Sequence, residues 1–395
     1  MKRVVAVVLA CGLCGFAATE RAHAALYEIT PIMSGLVTPR GLTFGRDGAL
    51  YVAEAGSGGT GPTVIAGNNA TLYFGNSSAL TRWAGGVQTR VLSGLPSLAT
   101  ASGGEATGLQ DIAFASNGQA YGLFAFGSTA DQRSANLGMA GANLGTVTLL
   151  NLANGSVGPR IADFALHEFN FNPDGSRLRD SNPFSLALTA NGNFLVADSG
   201  GNTFLRASPT GDITTLGVLP AKPNPLPIGP PVYQSVPTAI EVGPDGAYYI
   251  GQLTGFPFPA GAANVYRYDP VTGTISEAYS GFTNIIDIAF DAEGDLLVLE
   301  LSANGLTSPN GPGFGALFKI DTETGVRTLI ASEGLLFPGG LAIGPDGAYY
   351  VSTRTNVPNG GQVLRIAQVP EPSTLGLLAA GLLGLANLRR RSASR

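Results

Sequence analysis

Beyond residue 24 the sequence contains no cysteine and only one histidine. Both cysteines, Cys11 and Cys14, lie in the N-terminal segment, and so does His23, the other of the two histidines. A body without thiols forms no disulfide and no cysteine-based metal site, so packing alone must stabilise it. Catalytic triads and zinc sites that use several histidines are excluded as well. We expect the remaining histidine, His167, to be a structural or surface residue.

Charged residues and nucleotide-binding motifs are also scarce. Only 12% of the chain is Asp, Glu, Lys or Arg, and no Walker A, dinucleotide-binding or GxSxG motif occurs. The N-terminal segment and the C-terminal arginines account for seven of the 22 basic and one of the 27 acidic residues, which leaves 15 basic and 26 acidic residues. That negative excess disfavours nucleic-acid binding. The abundant glycine (56) and proline (26) indicate many short strands joined by turns.

Residues 1–24 have the features of a signal peptide. Lys2 and Arg3 precede an apolar stretch at residues 4–13, and Ala22-His23-Ala24 supplies the small residues that signal peptidase recognises. The apolar stretch is too short for a comfortable membrane span, and too short before Cys11 for a good lipoprotein signal. We therefore predict an exported protein that begins at Ala25.

The last 27 residues, 369–395, form a second targeting segment. Pro370-Glu371-Pro372 is followed by a largely apolar run at residues 375–388 and then by Arg389, Arg390 and Arg391. As a helix the run would be about 21 Å long, short of the ~30 Å hydrocarbon core, so an ordinary anchor is the weaker interpretation. This order of motif, apolar run and arginines resembles the PEP-CTERM tail that exosortases process. The resemblance implies transient insertion in the inner membrane, cleavage near the motif, and release or attachment at the cell surface.

The region between these segments, residues 25–368, contains six copies of one pattern. Each copy is an apolar strand, a turn ending in glycine, and a second strand rich in apolar residues. The copies are residues 39–54, 109–124, 183–198, 237–252, 285–300 and 338–353, with turn glycines Gly48, Gly118, Gly192, Gly246, Gly294 and Gly347. Hairpins repeated at about 50 residues are typical of β-propellers, in which each repeat is one four-stranded blade. The sequence therefore predicts an all-β, six-bladed propeller.

The ends of this region indicate how the ring closes. The sixth copy is followed by a third strand only, while residues 26–32 form a lone strand before the first copy. We predict that the N-terminal strand completes the last blade, which leaves no exposed edge. Residues 55–78 and 127–145 are insertions after the second strands of blades one and two, and residues 220–231 are a proline-rich connector. The insertions could bind a ligand or merely decorate the surface.

The inner strands suggest one candidate site. Alternate positions are large and apolar and should pack between blades, whereas the others should face the axis and are mostly small. Among these small residues Asp111, Glu241 and Asp287 stand out. Together they could hold a hard cation such as Ca²⁺, or each could simply accept hydrogen bonds from backbone N–H groups. The acids that end second strands, Glu54, Asp198 and Glu300, are expected to be structural, as turn-bonding carboxylates are.

Two stretches carry a family resemblance. The copies at residues 183–202 and 338–353 resemble the NHL repeat and gluconolactonase-type propellers, and residues 35–62 and 92–114 are similar to the ScyD/ScyE family, in which histidine often stands where this chain has Gln110. The resemblance implies the propeller fold and an extracellular location. For its function we favour a module that binds or scaffolds a surface polymer such as an exopolysaccharide, a pigment precursor or another small molecule. The alternative is a metal-dependent hydrolase or lactonase, for which gluconolactonase-type propellers use Glu, Asn and Asp ligands. Here only Asp111, Glu241 and Asp287 could serve.

Overall fold

The computed structural model describes residues 27–369, which form a ring of six blades, each built on a four-stranded antiparallel sheet. We name the strands of each blade inner, second, third and outer, starting from the ring axis. In this order the strands of blades one to three are Pro39–Phe44, Leu50–Glu54, Thr71–Ala84 and Val87–Ala99; Leu109–Phe114, Ala120–Phe124, Thr146–Asn151 and Ser156–Asp163; and Pro183–Leu188, Phe194–Asp198, Thr203–Ala207 and Ile213–Val218. Those of blades four to six are Pro237–Val242, Tyr248–Gln252, Ala263–Tyr268 and Ile275–Phe282; Ile285–Phe290, Leu296–Glu300, Ala316–Ile320 and Arg327–Ala331; and Gly340–Ile343, Tyr349–Thr353, Gly361–Gln368 and Tyr27–Leu36.

The predicted six-bladed propeller is therefore confirmed, and so is its closure by the N-terminal strand. Tyr27–Leu36 pairs with Gly361–Gln368 as the outer strand of blade six. Its Met33 and Leu36 are buried in one apolar cluster with residues of blades one and six. The strand is longer than the predicted segment at residues 26–32 because its second half continues into this cluster.

The tight turns between inner and second strands depend on the predicted glycines. In blade one Gly48 has φ of 72°, a left-handed conformation that glycine adopts without strain, and its N–H donates to the carbonyl of Gly45 at 2.9 Å. Beside it the carboxylate of Asp47 accepts from the hydroxyl of Tyr51 and from Arg82. The same Asp–Tyr–Arg arrangement recurs in blades four and six, at Asp245–Tyr249–Arg267 and Asp346–Tyr350–Arg365. We call the side of the ring that carries these turns the turn face.

The opposite side, the loop face, carries the two insertions. The first contributes the short strand Thr63–Ile65 and the start of the long strand Thr71–Ala84. The second contains the strand Ser128–Thr129, the α-helix Ala130–Gln132, the π-helix Arg133–Leu137 and the 3₁₀-helix Gly138–Gly141.

The insertions pack together instead of forming separate loops. They share an apolar cluster with the helix Phe164–Phe171, and its buried members include Val64, Leu72, Phe74, Phe126, Leu137 and Ala165. Ser128–Thr129 also pairs with Asp180–Ser181, ahead of blade three. In the proline-rich connector, Lys222–Pro223 pairs with Val232–Tyr233. The loop face over blades one to three is therefore a folded layer with its own core.

The terminal segments cannot be compared with this structure. The signal residues Ala22 and Ala24, and the sorting residues Pro370, Glu371, Pro372, Arg389, Arg390 and Arg391, lie outside the described residues. Between residues 27 and 369, no helix has the length and apolar character needed to span a bilayer.

Candidate functional site

The ring axis contains a cavity of about 510 Å³ that the inner strands line. Asp111, Glu241 and Asp287 all line it, so the structure brings the three predicted acids to one cavity. Asp111 and Asp287 come from blades two and five, which face each other across the ring. No basic residue is found among the described residues that line this cavity.

Asp111 and Asp287 connect neighbouring blades. One carboxylate oxygen of Asp111 accepts from the N–H of Ile112 at 2.8 Å, and the other accepts from Leu186 of blade three at 2.7 Å. Asp287 connects blades five and six in the same way. One of its carboxylate oxygens accepts from the N–H of Ile288 at 2.9 Å, and the other accepts from the N–H of Leu341 at 2.7 Å. Each aspartate thus satisfies a backbone donor at a blade junction, which is the structural role that the sequence left open for it.

Burial at the ring axis raises the pKa values of Asp111, Glu241 and Asp287. Burial raises the pKa of Asp111 to about 7, and the nearby charge of Glu241 adds to this effect. Burial raises the pKa of Glu241 to about 7. Burial and the charge of Asp111 raise the pKa of Asp287 well above its usual range. The backbone N–H groups favour the ionised aspartates, but the desolvation of the carboxyl groups outweighs them.

The geometry of the axis does not favour a metal centre. Among residues 27–369 no group of three or more His, Cys, Asp or Glu side chains is arranged to hold a metal ion. Each carboxylate oxygen of the two aspartates already accepts one backbone N–H group, and no asparagine is found among the described residues that line the cavity. Ca²⁺ binding by Asp111, Glu241 and Asp287 therefore stays a prediction.

The acids at the ends of the second strands have structural partners, as the sequence indicates. Glu54 accepts from the N–H of Val37 at 2.6 Å and from Arg90 at 2.7 Å. Asp198 accepts from backbone N–H groups of its own turn, including that of Gly200 at 3.1 Å. Glu300 accepts from the N–H of Thr283 at 2.8 Å. All three carboxylates therefore fix the chain where a second strand ends.

His167 has a structural environment too. Its Nε2 lies 2.9 Å from the hydroxyl oxygen of Thr215, and its ring packs against Phe171. Burial lowers the pKa of the imidazole, which favours its neutral form.

A second cavity, of about 500 Å³, opens on the loop face, and we call it the loop-face pocket. The insertions and the connections between blades one to four supply its walls. They contribute Ala66, Gly67, Asn68, Leu72, Glu105, Gly127, Asp180, Asn182, Ser199 and Gln234. A Cβ at Gly67 would contact the carboxylate of Asp180, so that side chain would have to move if Gly67 were replaced.

Three inner-strand residues also line the loop-face pocket, namely Arg40, Gln110 and Phe184. Each lies where the pairing of the inner with the second strand shifts register. Such a β-bulge breaks the regular alternation of side chains and can re-aim one of them, which is why bulges are frequent next to binding sites.

Arg40 is an unusual cation in this chain. Its Nη2 donates to the carbonyl of Ala106 at 2.9 Å, whereas its Nε is buried without a partner, and no carboxylate among the described residues pairs with it. Burial lowers the pKa of its guanidinium to about 10, which leaves it charged at neutral pH. The amide of Gln110, a residue only 2% exposed, makes no hydrogen bond within the described part of the chain. Both side chains retain unused hydrogen-bonding capacity at the pocket.

Sequence reasoning missed this pocket because it considered only the residues that alternate regularly along each inner strand. The position directly before the axial residue is Arg40, Gln110, Phe184, Thr238, Ile286 and Gly339 in the six copies. The residue at this position is polar in blades one, two and four and apolar or glycine in the other three blades. This difference between blades was the signal that could have identified Arg40 and Gln110 as candidate site residues.

Comparison with known proteins gave one match for the sorting segment and separate structural matches for the propeller body. Residues 368–391 match the model of the PEP-CTERM protein-sorting motif, which implies export, processing by an exosortase and sorting to the cell surface. A search of curated proteins found no significant match.

Several solved propellers are similar in fold to the body, and each aligns with 87% of this chain. A gluconolactonase from Xanthomonas campestris has a TM-score of 0.51 at 11% identity, with 92% of its chain covered. The soluble aldose sugar dehydrogenase from Escherichia coli has 0.51 at 12%, with 100% covered. A PQQ-bound aldose sugar dehydrogenase from Streptomyces coelicolor has 0.50 at 15%, with 99% covered. Such low identities establish the fold alone. The ScyD/ScyE and NHL resemblances stay predictions.

Proposed function

We propose that the body is a binding module displayed at the cell surface, which holds a polar small molecule or one unit of an extracellular polymer in the loop-face pocket. The observation that carries this proposal is the pocket itself, about 500 Å³ in volume and lined by amide, hydroxyl and charged side chains on a rigid ring. The first insertion supplies part of its wall with Ala66, Gly67, Asn68 and Leu72, which supports binding as a role of that insertion. A sorting tail that delivers the body to the surface agrees with a ligand found outside the cell.

The alternative from the sequence, a metal-dependent hydrolase, has less support. It needs an ion at Asp111, Glu241 and Asp287, and two of these carboxylates already accept inter-blade hydrogen bonds. The single histidine of the body lies on the helix Phe164–Phe171 and contacts Thr215, so it offers no general base at either cavity. No observation on the described residues favours this activity over binding.

We expect a bulky residue at the pocket to abolish binding. The measurement is calorimetric titration of the exported protein with neutral and acidic oligosaccharides, for the parent and for Asn68→Trp. Asn68 lines the pocket and is exposed, so its indole should block the ligand at little cost in stability and weaken binding at least about 10-fold, the equivalent of 1.4 kcal/mol. The matched control is Asn117→Trp, on the turn face, which should bind like the parent. Binding that survives Asn68→Trp, or a parent that binds no saccharide, would refute the proposal.

The sorting tail carries a separate expectation about the mature protein. We propose cleavage near Pro370-Glu371-Pro372, after which the body is released or attached to surface polymer. Intact-mass measurement of protein from the medium or the cell surface should give a chain that begins at Ala25 and lacks everything from about Glu371 onward. Recovery of Arg389, Arg390 and Arg391 in that protein would contradict exosortase-type processing.

A further inference from the structure

We propose that Arg40 recognises the carboxylate of an acidic sugar in the loop-face pocket. This inference rests on the proposed function and deepens it by naming the class of ligand. It starts from the unpaired guanidinium of Arg40 and from the unused amide of Gln110, which line the same cavity.

A partly buried cation without a carboxylate partner is costly, and most of the partly buried basic side chains among the described residues have such a partner. Other partly buried basic side chains pair with a carboxylate: Arg82 with Asp47, Arg133 with Asp163, Lys222 with Glu277, Arg267 with Asp245, Lys319 with Asp291 and Arg365 with Asp346. Arg40 has only the carbonyl of Ala106. A ligand anion would supply the missing partner, and a carboxylate matches two N–H groups of a guanidinium at once.

The charges around the pocket favour a group with a single negative charge over a phosphate monoester, which carries two. Arg40 is the only basic residue among its described lining residues, whereas Glu105 and Asp180 are acidic. Glu105 accepts from the side-chain amide of Asn68 at 2.9 Å. Asp180 lies near other acids, and burial followed by the charge of Asp198 raises the pKa of Asp180 to about 7. One guanidinium can neutralise one carboxylate here, whereas a phosphate group with two charges on the same atom centre would be repelled by these carboxyl groups.

The rest of the lining suits a sugar. The amides of Asn68, Gln110, Asn182 and Gln234 and the hydroxyl of Ser199 can exchange hydrogen bonds with ring hydroxyls. Phe184, Leu72 and Leu178 provide apolar surface against which the C–H groups of a sugar ring can pack. A uronic acid carries both a carboxylate that can bind Arg40 and hydroxyls that can bind the amides. We therefore infer that the ligand is a uronic acid, either alone or within an acidic polysaccharide.

The test compares an acidic sugar with its methyl ester, in which each carboxylate is replaced by an uncharged ester. Trigalacturonate and its methyl ester are titrated calorimetrically into the exported protein and into Arg40→Gln. We expect the parent to prefer trigalacturonate at least 10-fold, and Arg40→Gln to lose that preference while binding the ester as before. Gln keeps a polar amide at this position and removes a charge that has no carboxylate partner, so folding should be retained. The control Arg46→Gln, an equal change of charge at an exposed turn, should behave like the parent.

A second variant changes the charge of the pocket lining and leaves Arg40 in place. Gln110→Glu adds a carboxylate to the pocket lining and should abolish the preference for trigalacturonate without touching Arg40. If the parent binds trigalacturonate and its ester equally, or if inorganic phosphate competes as well as galacturonate, the role of Arg40 is overturned while the binding function stands. If neither sugar binds and neutral saccharides also fail, the proposed function itself is refuted.

Discussion

Deletion of Tyr27–Leu36 should lower the melting temperature of the body and convert it from monomers to oligomers. The strand buries Met33 and Leu36 fully and packs Tyr27 and Ile29 against the last two blades. At 1.5–3 kcal/mol for each fully buried side chain, its loss costs about 5 kcal/mol. For a body of this size that corresponds to about 7 °C, measured by calorimetry.

The oligomers follow from the edge that the deletion exposes. Without its partner, Gly361–Gln368 presents unpaired N–H and C=O groups to other molecules. A synthetic peptide with the sequence of Tyr27–Leu36 should restore the monomer in size-exclusion chromatography, and a scrambled peptide should not. A truncated protein that stays monomeric and melts within a degree or two of the parent would show that the ring is closed in another way.

Stability should fall as the pH rises from about 4 to about 7, because of the acids at the ring axis. The pKa values of Asp111 and Glu241 are about 7 in the folded state, and that of Asp287 is also raised. Between pH 4 and 7 the folded protein therefore holds protons that the unfolded chain has released, so stability decreases through this window and levels off above it. The cavity is large enough for solvent to screen these carboxyl groups, so we expect a loss of only about 3 kcal/mol, or about 4 °C.

The double variant Asp111→Asn/Asp287→Asn identifies the groups responsible. It should be less stable at every pH, since each asparagine turns an N–H group toward a backbone donor, but its melting temperature should depend less on pH. Asp47→Asn, at an exposed turn, should leave the slope unchanged. An unaltered slope in the double variant would assign the pH dependence to other buried acids such as Glu168, whose pKa is about 8.

The same double variant decides the Ca²⁺ prediction. At pH 8, Ca²⁺ at 100 times its dissociation constant would stabilise the parent by about 2.7 kcal/mol, and the double variant would not respond. A flat melting temperature of the parent across the titration would remove the metal hypothesis.

Most of the architecture could be predicted because its signals are local. Alternating residues and a turn glycine define each hairpin within about 16 residues, so the inner and second strands lie within the predicted copies. The closing strand followed from counting strands that lack a partner. The placement of Asp111 and Asp287 at the axis followed from the same alternation.

The remaining features depend on contacts between blades or on irregular backbone. The bonds from Asp111 to Leu186 and from Asp287 to Leu341 depend on how one blade docks on the next, which no single repeat encodes. Arg40 and Gln110 lie at bulges, where strict alternation predicts the wrong side of the strand for the side chain. The core between the insertions was missed because its apolar residues are few and irregularly spaced among glycine, asparagine and threonine.

The position of the last strand has a mechanical consequence. Gly361–Gln368 ends where the sorting segment begins, and it lies between Tyr349–Thr353 and Tyr27–Leu36 rather than at the edge of its sheet. If the protein is tethered through its C-terminus, a pull along this strand must shear two rows of hydrogen bonds together instead of unzipping one. Fluid drag on a tethered protein would therefore act on blade six, which contains both the first and the last strand of the body. In this blade the last strand is hydrogen-bonded to a neighbour on each side.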